Sequence, residues 1–400
     1  MRETQKHTKP NVPNLRFPGF EGEWEKRKIR DFTRVVAGAT PSTGNKSYWG
    51  GDIRWMNSGE LNLKRVYDVQ GRITREGYEK TSTKMIPLYS VLIGLAGQGK
   101  TRGTAAMNYV ELCTNQSIAS ILPSQDYYPE FLYQNIESRY KELRDISSGD
   151  GGRGGLNLQM INNLDIPYCS LTEQKKIGDF LYLLDQRITI QSKLIDHYES
   201  LIRAIILRSQ SSTSRRKVYL HEILTERKEL NEQGYDICSV SVSKGVVNQV
   251  EYLGRSFAAK ETAHYHVVHK GDIVYTKSPT GEVPYGIIKQ SYLDAPVAVS
   301  PLYGVYEPID YLTGVYLHHF FCSPQNAKNY LHKLIQKGAK NTINITNQHF
   351  LDNYISIPES DTLQSIVAII ETLSKRVDLE KEFLSLFIEQ KAYLMSNMFI

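Results

Sequence analysis

Cysteine is scarce: Cys113, Cys169, Cys238 and Cys322 are the only four in 400 residues, and no two form a C-x-x-C pair. That scatter excludes a disulfide framework and leaves buried free thiols in a reducing compartment as the expectation. His264, His266 and His269 stand close together, as do His318 and His319, but neither group has a companion at metal-ligand spacing. No metal site is therefore expected. No apolar run approaches the roughly 20 residues that span a bilayer. The opening MRETQKHTKPNVPNLRFPGF is polar and proline-containing rather than a signal sequence. A cytoplasmic protein with no membrane association is expected.

No two prolines adjoin, and no Pro-Asp pair occurs. The first absence removes the N/D-P-P-aromatic motif that an adenine methyltransferase needs to hold a flipped base. The second removes half of a common nuclease pattern. The other half, (D/E)-x-K, does occur as Glu173-Gln174-Lys175 and Glu389-Gln390-Lys391, but both sit in helical segments and are expected as solvated charges. No nucleophile–base constellation can be placed, so no residue is assigned a catalytic role.

Charge of either sign is nearly balanced: 48 Lys+Arg against 43 Asp+Glu leave a net +5. This permits a polyanionic partner without demanding one. Tyrosine, by contrast, is frequent at 26 residues. Such side chains pack, hydrogen-bond phosphate and stack on bases.

The stretch VLIGLAGQGKT (Val91 to Thr101) matches the phosphate-loop pattern at Gly94, Gly99, Lys100 and Thr101. A nucleotide-hydrolysing enzyme using Gly94–Thr101 is thus one alternative. A working loop needs a helix starting at Lys100-Thr101, so that backbone N–H groups hold the phosphates. The continuation RGTAAMNYVELC instead predicts a turn into another strand. A magnesium-binding strand is also missing, because FLYLLD (Phe180 to Asp185) belongs to a helix. A glycine-rich hairpin that touches nucleic acid is the preferred reading. In it Gln98 suits an adenine edge, Lys100 or Arg102 a guanine edge or phosphate, and Thr101 stands between them. Lys277, Ser278 and Thr280 in YTKSPTGEVPYG are the counterparts further along. The loop GDGGRGG (Gly149 to Gly155) offers Arg153, either to DNA or merely within a turn.

The chain repeats itself. IGDFLYLLDQRITIQSKLIDHYESLIRAIILRS from Ile177 aligns without a gap to IVAIIETLSKRVDLEKEFLSLFIEQKAYLMSNM from Ile366, an offset of 189. Ile177, Leu181, Leu184, Ile188, Ile195, Tyr198, Ile202 and Ile205 recur at steps of four and three, with Gln191 as the polar place. Ile366, Ile370, Leu373, Val377, Leu384, Phe387 and Leu394 do the same; Glu380 stands for Gln191 and Lys391 for Ile202. A heptad stripe this long predicts two coiled-coil helices with each other as mates. The two polar seam places leave their register open. Ile166-Pro167 and Ile357-Pro358 lead into the helices in matching places, and Ser170-Leu171-Thr172-Glu173 fits a capping box.

The domain order expected is an N-terminal arm (1–22), a first globule (23–165), a helix (166–210), a linker (211–217), a second globule (218–356) and a second helix (357–400). Two divergent globules on rigid spacers suit two different short features at a fixed distance. The helix from Ile177 to Arg208 would be about 48 Å long, on the order of one duplex turn of DNA. Because the globules differ, the target would be asymmetric. An adaptor that binds protein only would leave the paired globules unexplained.

NVPNLRFPGFEGEWEKRKIRDF (Asn11 to Phe32) and the duplicated layout resemble the DNA-specificity subunit of type I restriction-modification enzymes. The resemblance implies an α+β fold: two similar α/β target-recognition domains separated by two long antiparallel helices, related by a pseudo-twofold duplication. It implies a non-catalytic subunit that binds double-stranded DNA at a split sequence. Two methyltransferase subunits and the restriction/translocase subunits would assemble on its helices, bringing the S-adenosylmethionine, ATP and Mg that this chain itself does not hold. Leu184, Ile188, Gln191, Ile195, Leu373, Val377, Glu380 and Leu384 would form the seam.

Overall fold

The computed structural model describes residues 11–97, 101–147, 154–211, 213, 215–253, 261–277, 284–337 and 343–400. The chain forms two compact units: one runs to Gln191 and takes in Phe383–Ile400, the other is Ser192–Glu382.

The first unit opens with β1 (Glu25–Lys28), a single helical turn α1 (Ile29–Phe32) and β2 (Val35–Ala37). β3 (Arg65–Val66), β4 (Val91–Gly94), β5 (Ala105–Asn108) and β6 (Ile118–Ile121) complete a sheet in the order β2-β6-β4-β5-β3. All pairs are antiparallel except β3 with β5. Side chains alternate across a strand, and here both faces are covered. Val91, Ile93, Ala105, Met107, Ala119 and Ile121 enter one core, while Leu92, Ala106 and Ile118 enter another. α2 (Pro129–Ser138) and α3 (Tyr140–Ile146) follow, and β7 (Asp165–Tyr168) returns to pair with β1.

α4 (Leu171–Ser211) then begins. Ser170 Oγ accepts from the Glu173 N–H at 3.2 Å, which is half of the expected capping box. Gly178 is required by packing. A Cβ there would stand 2.9 Å from the backbone nitrogen of Phe131 in α2.

The second unit repeats the plan. β8 (Arg215–Tyr219), α5 (Leu220–Ile223), β9 (Leu224–Glu226), β10 (Ile273–Thr276), β11 (Ile287–Gln290) and β12 (Gly304–Pro308) come in the same succession. Their four-stranded sheet has the order β9-β12-β10-β11, the order of the first sheet without its β3 edge. α6 (Tyr311–Phe321), α7 (Pro324–His332), β13 (Tyr354–Pro358) and the long α8 (Ser360–Met398) complete the copy. Residues 215–217, expected as linker, are rungs of β8 against β13. Their polarity misleads because only Val218 of that strand is buried. The two Ile-Pro pairs are also out of step. The Arg27↔Ile166 rung, two residues before α1, corresponds to Val218↔Ile355, and Pro358 ends its strand.

Along both long helices the heptad stripe is the inward face. Ile177, Leu181, Ile195, Ile202, Ile370 and Val377 are buried and Ile366 is half-buried beside buried Val367, whereas Leu183 and Ile190, off the stripe, are each 64% exposed. Leu184, Ile188, Gln191, Leu373 and Leu384 are half-buried, and Glu380 is buried with Arg376 2.5 Å away. The helices run antiparallel. In the first unit Asp185 meets Lys391 and Arg187 lies over Phe387; in the second Glu199 meets Lys381. The α+β architecture with internal duplication therefore stands. Among the described residues no helix is long and apolar enough to cross a membrane.

Candidate nucleic-acid interface

The hairpin of β4 and β5 carries the first candidate contacts. Its backbone is shaped by glycine: a Cβ on Gly94 would lie 2.1 Å from the Thr101 carbonyl, and Gly97 and Gly103 have φ of +119° and +79°. After Thr101 the chain turns and enters β5, in register Val91↔Met107 to Ile93↔Ala105. Among the described residues no helix begins at Thr101, and Asp185, the would-be magnesium ligand, is engaged by Lys391 and Arg65. The nucleotide-hydrolysing alternative is therefore unsupported.

Gln98, Lys100, Arg153, Ser278 and Thr280 lie outside the described residues. Thr101 Oγ1 donates to the Ala96 carbonyl at 3.3 Å, closing the turn. Arg102 donates to the Gly154 carbonyl, and Leu156 N–H bonds the Leu95 carbonyl at 2.9 Å. Gly154 and Leu156, more than fifty residues further along the chain, thus lie beside the β4–β5 hairpin. In the second unit Lys277 leaves β10 half-buried; burial lowers its pKa, with the Glu226 carboxylate opposing. Gly286, φ +109°, closes that hairpin against the Thr276 carbonyl.

The N-terminal arm is a clamp on the helices. Arg16 spans both oxygens of Glu173, at 2.7 and 2.9 Å, and donates to the carbonyls of Glu21 and Gly22. Phe17 packs edge-on against Phe180, and Leu15 N–H bonds the Asn397 carbonyl near the end of α8. Glu173 and Gln174 are therefore not solvated as expected: they are 2% and 0% exposed, and Gln174 bonds the carbonyls of Cys169 and Asp126. Lys391 departs from expectation in the same way. Burial opposes its charge, but the carboxylates of Glu137 and Asp185 outweigh that and hold its pKa above the ordinary lysine value.

Residues 21–199 match the family model described as the type I restriction modification DNA specificity domain. That match takes in just under half of the chain. It is 32% identical to the MjaIX specificity subunit of Methanocaldococcus jannaschii over 176 residues, 43% of this chain and 40% of that one. It is 27% identical to the HindI specificity subunit of Haemophilus influenzae over 168 residues, 41% and 34% of the two chains. The matches thus span less than half the length of these curated relatives. The solved S subunit of a type I restriction-modification system from M. genitalium shares the fold, with a TM-score of 0.61 at 14% identity, over 97% of this chain and 99% of that one. The resemblance read from the sequence agrees with these matches over residues 21–199.

Within the specificity domain, sequence reasoning missed the buried charges that seat it on the helices. Arg65 of β3 reaches Glu130 of α2 and Asp185 of α4, both at 2.6 Å, and its side chain is 9% exposed. The available signal was an ionisable residue at a seam place, Lys391, which inside a helix pair demands a partner. Burial pushes Cys113 up to about 11 and Cys238 to about 12. His318 Nδ1 accepts from the Gln290 N–H at 3.0 Å; burial lowers its pKa well below the ordinary value and takes His319 to about 4.

Proposed function

We propose that the chain is the non-catalytic, sequence-recognising subunit of a cytoplasmic type I restriction-modification complex. Its two globular domains would read the two halves of a split, asymmetric sequence in double-stranded DNA. The observation that carries this reading is the duplication itself. One strand order recurs in two units whose hairpin loops differ, and both long helices contribute to each unit. A repeated frame with divergent loops suits two different half-sites held at a set distance.

The helices also suit a scaffold. Leu183, Ile190, Leu207, Leu386 and Tyr393 are apolar or aromatic side chains on their outer faces, each more than half exposed. Side chains of this kind would suit a docking surface for partner subunits. Two methyltransferase subunits and the restriction/translocase subunits would dock there, supplying S-adenosylmethionine, ATP and Mg. Lys100, Arg102 and Lys277, with Gln98, Thr101, Arg153, Ser278 and Thr280, are the proposed DNA contacts. The test is to co-express the chain with a matching methyltransferase subunit and map modified adenines genome-wide. A split, asymmetric motif supports the proposal; a continuous motif, or none, refutes it.

A further inference from the structure

The two halves differ at one equivalent place. Asp185 of α4 and Lys391 of α8 have Ser374 and Ile202 as counterparts, 189 positions away in each case. In the second unit Ser374 and Ile202 line an open cleft of about 740 Å³, together with Lys289, Tyr311 and His319. In the first unit the same place is filled with charge. Arg65 bridges Glu130 and Asp185, and Lys391 Nζ lies 2.5 Å from Asp185 and 2.8 Å from Glu137. Gln134 donates to Asp185 at 2.7 Å, and Tyr133 and Tyr182 face the guanidinium of Arg65. Among the described residues, β3, the strand that delivers Arg65, has no counterpart in the second unit's four-stranded sheet.

The cluster joins four elements: β3, α2, α4 and α8. An apolar heptad seam looks much the same after a slip of seven residues, so apolar packing alone specifies register weakly. A slip of that size moves a helix by about 10 Å, or roughly three base pairs of DNA. Buried charges are satisfied in one register only, because any other strands them without partners. Glu130, Asp185, Glu137, Arg65 and Lys391 are all nearly or mostly buried, and they occur together at a single level of the helix pair.

We infer that this cluster is a register lock: it seats the first recognition domain on both helices at one axial position and thereby fixes the spacer length the protein accepts. The inference rests on the split-target reading proposed above. Asp185 and Lys391 are positioning residues that need not touch DNA.

The test uses the full chain co-expressed with its methyltransferase subunit, on a plasmid library in which the spacer between the mapped half-sites varies base by base. The wild type should methylate one spacer length. Asp185→Ser with Lys391→Ile installs the second half's own residues and removes one charge of each sign. Both half-sites should survive, while methylation at spacer lengths roughly three base pairs away rises about tenfold relative to wild type. Lys391→Arg alone, which keeps the charge, should retain the single spacer. Arg65→Lys loses the fork that spans two carboxylates and should also broaden the profile, which decides the matter if the double variant does not fold. Tyr311→Phe, which removes the bond to Glu371 in the second unit, should leave the profile unchanged. An unchanged spacer profile in a folded lock variant overturns the inference, as does equal broadening by Tyr311→Phe. Absence of any split motif in the wild type would instead sink the proposed function.

Discussion

Replacing Arg16 with alanine removes the clamp between the N-terminal arm and the start of α4. The guanidinium holds both oxygens of Glu173, whose side chain is 2% exposed against 14% for Arg16. Stranding one member of a buried ion pair costs about 3–5 kcal/mol in general. Two effects reduce that figure here. Glu173 lies in the first turn of α4, where the helix dipole returns roughly 0.5–1 kcal/mol, and the vacated space admits water to the carboxylate. The expected loss is about 2–4 kcal/mol, or a fall of roughly 5–15 °C in the first unit's melting transition. Arg16→Met with Glu173→Met should recover most of it, since a packed apolar pair is close to neutral against a buried ion pair. Calorimetry of the full chain, with hydrogen exchange to assign the transition to α4, is the assay. The clamp argument is wrong if Arg16→Ala melts within about 2 °C of wild type, or if the double variant melts no higher than the single one.

Three further outcomes are expected. Gly178→Ala should destabilise by about 1–3 kcal/mol despite a helix-propensity gain of about 1 kcal/mol, because its Cβ meets the backbone of α2; a higher melting temperature would contradict this. His319 titrates at about 4 in the fold against 6.5 ordinarily, so between these values the unfolded chain binds the extra proton. Stability should therefore fall as pH drops from about 6.5 towards 4, by about 3 kcal/mol from this group, and His319→Gln should flatten that limb of the pH–stability curve. Lys277→Ala should weaken DNA binding evenly across sequences and lower the salt-dependence slope by about one; an unchanged slope would show that Lys277 does not touch phosphate.

Much of the frame is legible in the residues themselves. The heptad stripe reports which face of each long helix is inward, because period and burial are linked within one element. RGTAAM after the phosphate-loop pattern announces β5 rather than a helix, since glycine and threonine break the first turn that an anion site requires. What periodicity cannot report is which distant side chain meets a helix. Arg16 lies 157 positions from Glu173, Arg65 lies 120 from Asp185, and Lys391 lies 206 from Asp185. For that reason Glu173 reads as a solvated helix charge in sequence and is a buried ion-pair member in the fold. Residues 215–217 of the expected linker mislead similarly, because a two-stranded ribbon exposes nearly all its side chains and so looks like a loop.

The division of labour between the two domains is the central claim, and exchanging one of them tests it most directly. Residues 24–165 would be replaced by the equivalent segment of a related specificity subunit with a different target. The chimera would be co-expressed with the methyltransferase subunit and its modified adenines mapped. One half of the split motif should change, while the other half and the spacer remain. A motif that changes in both halves, or in neither, would contradict the account.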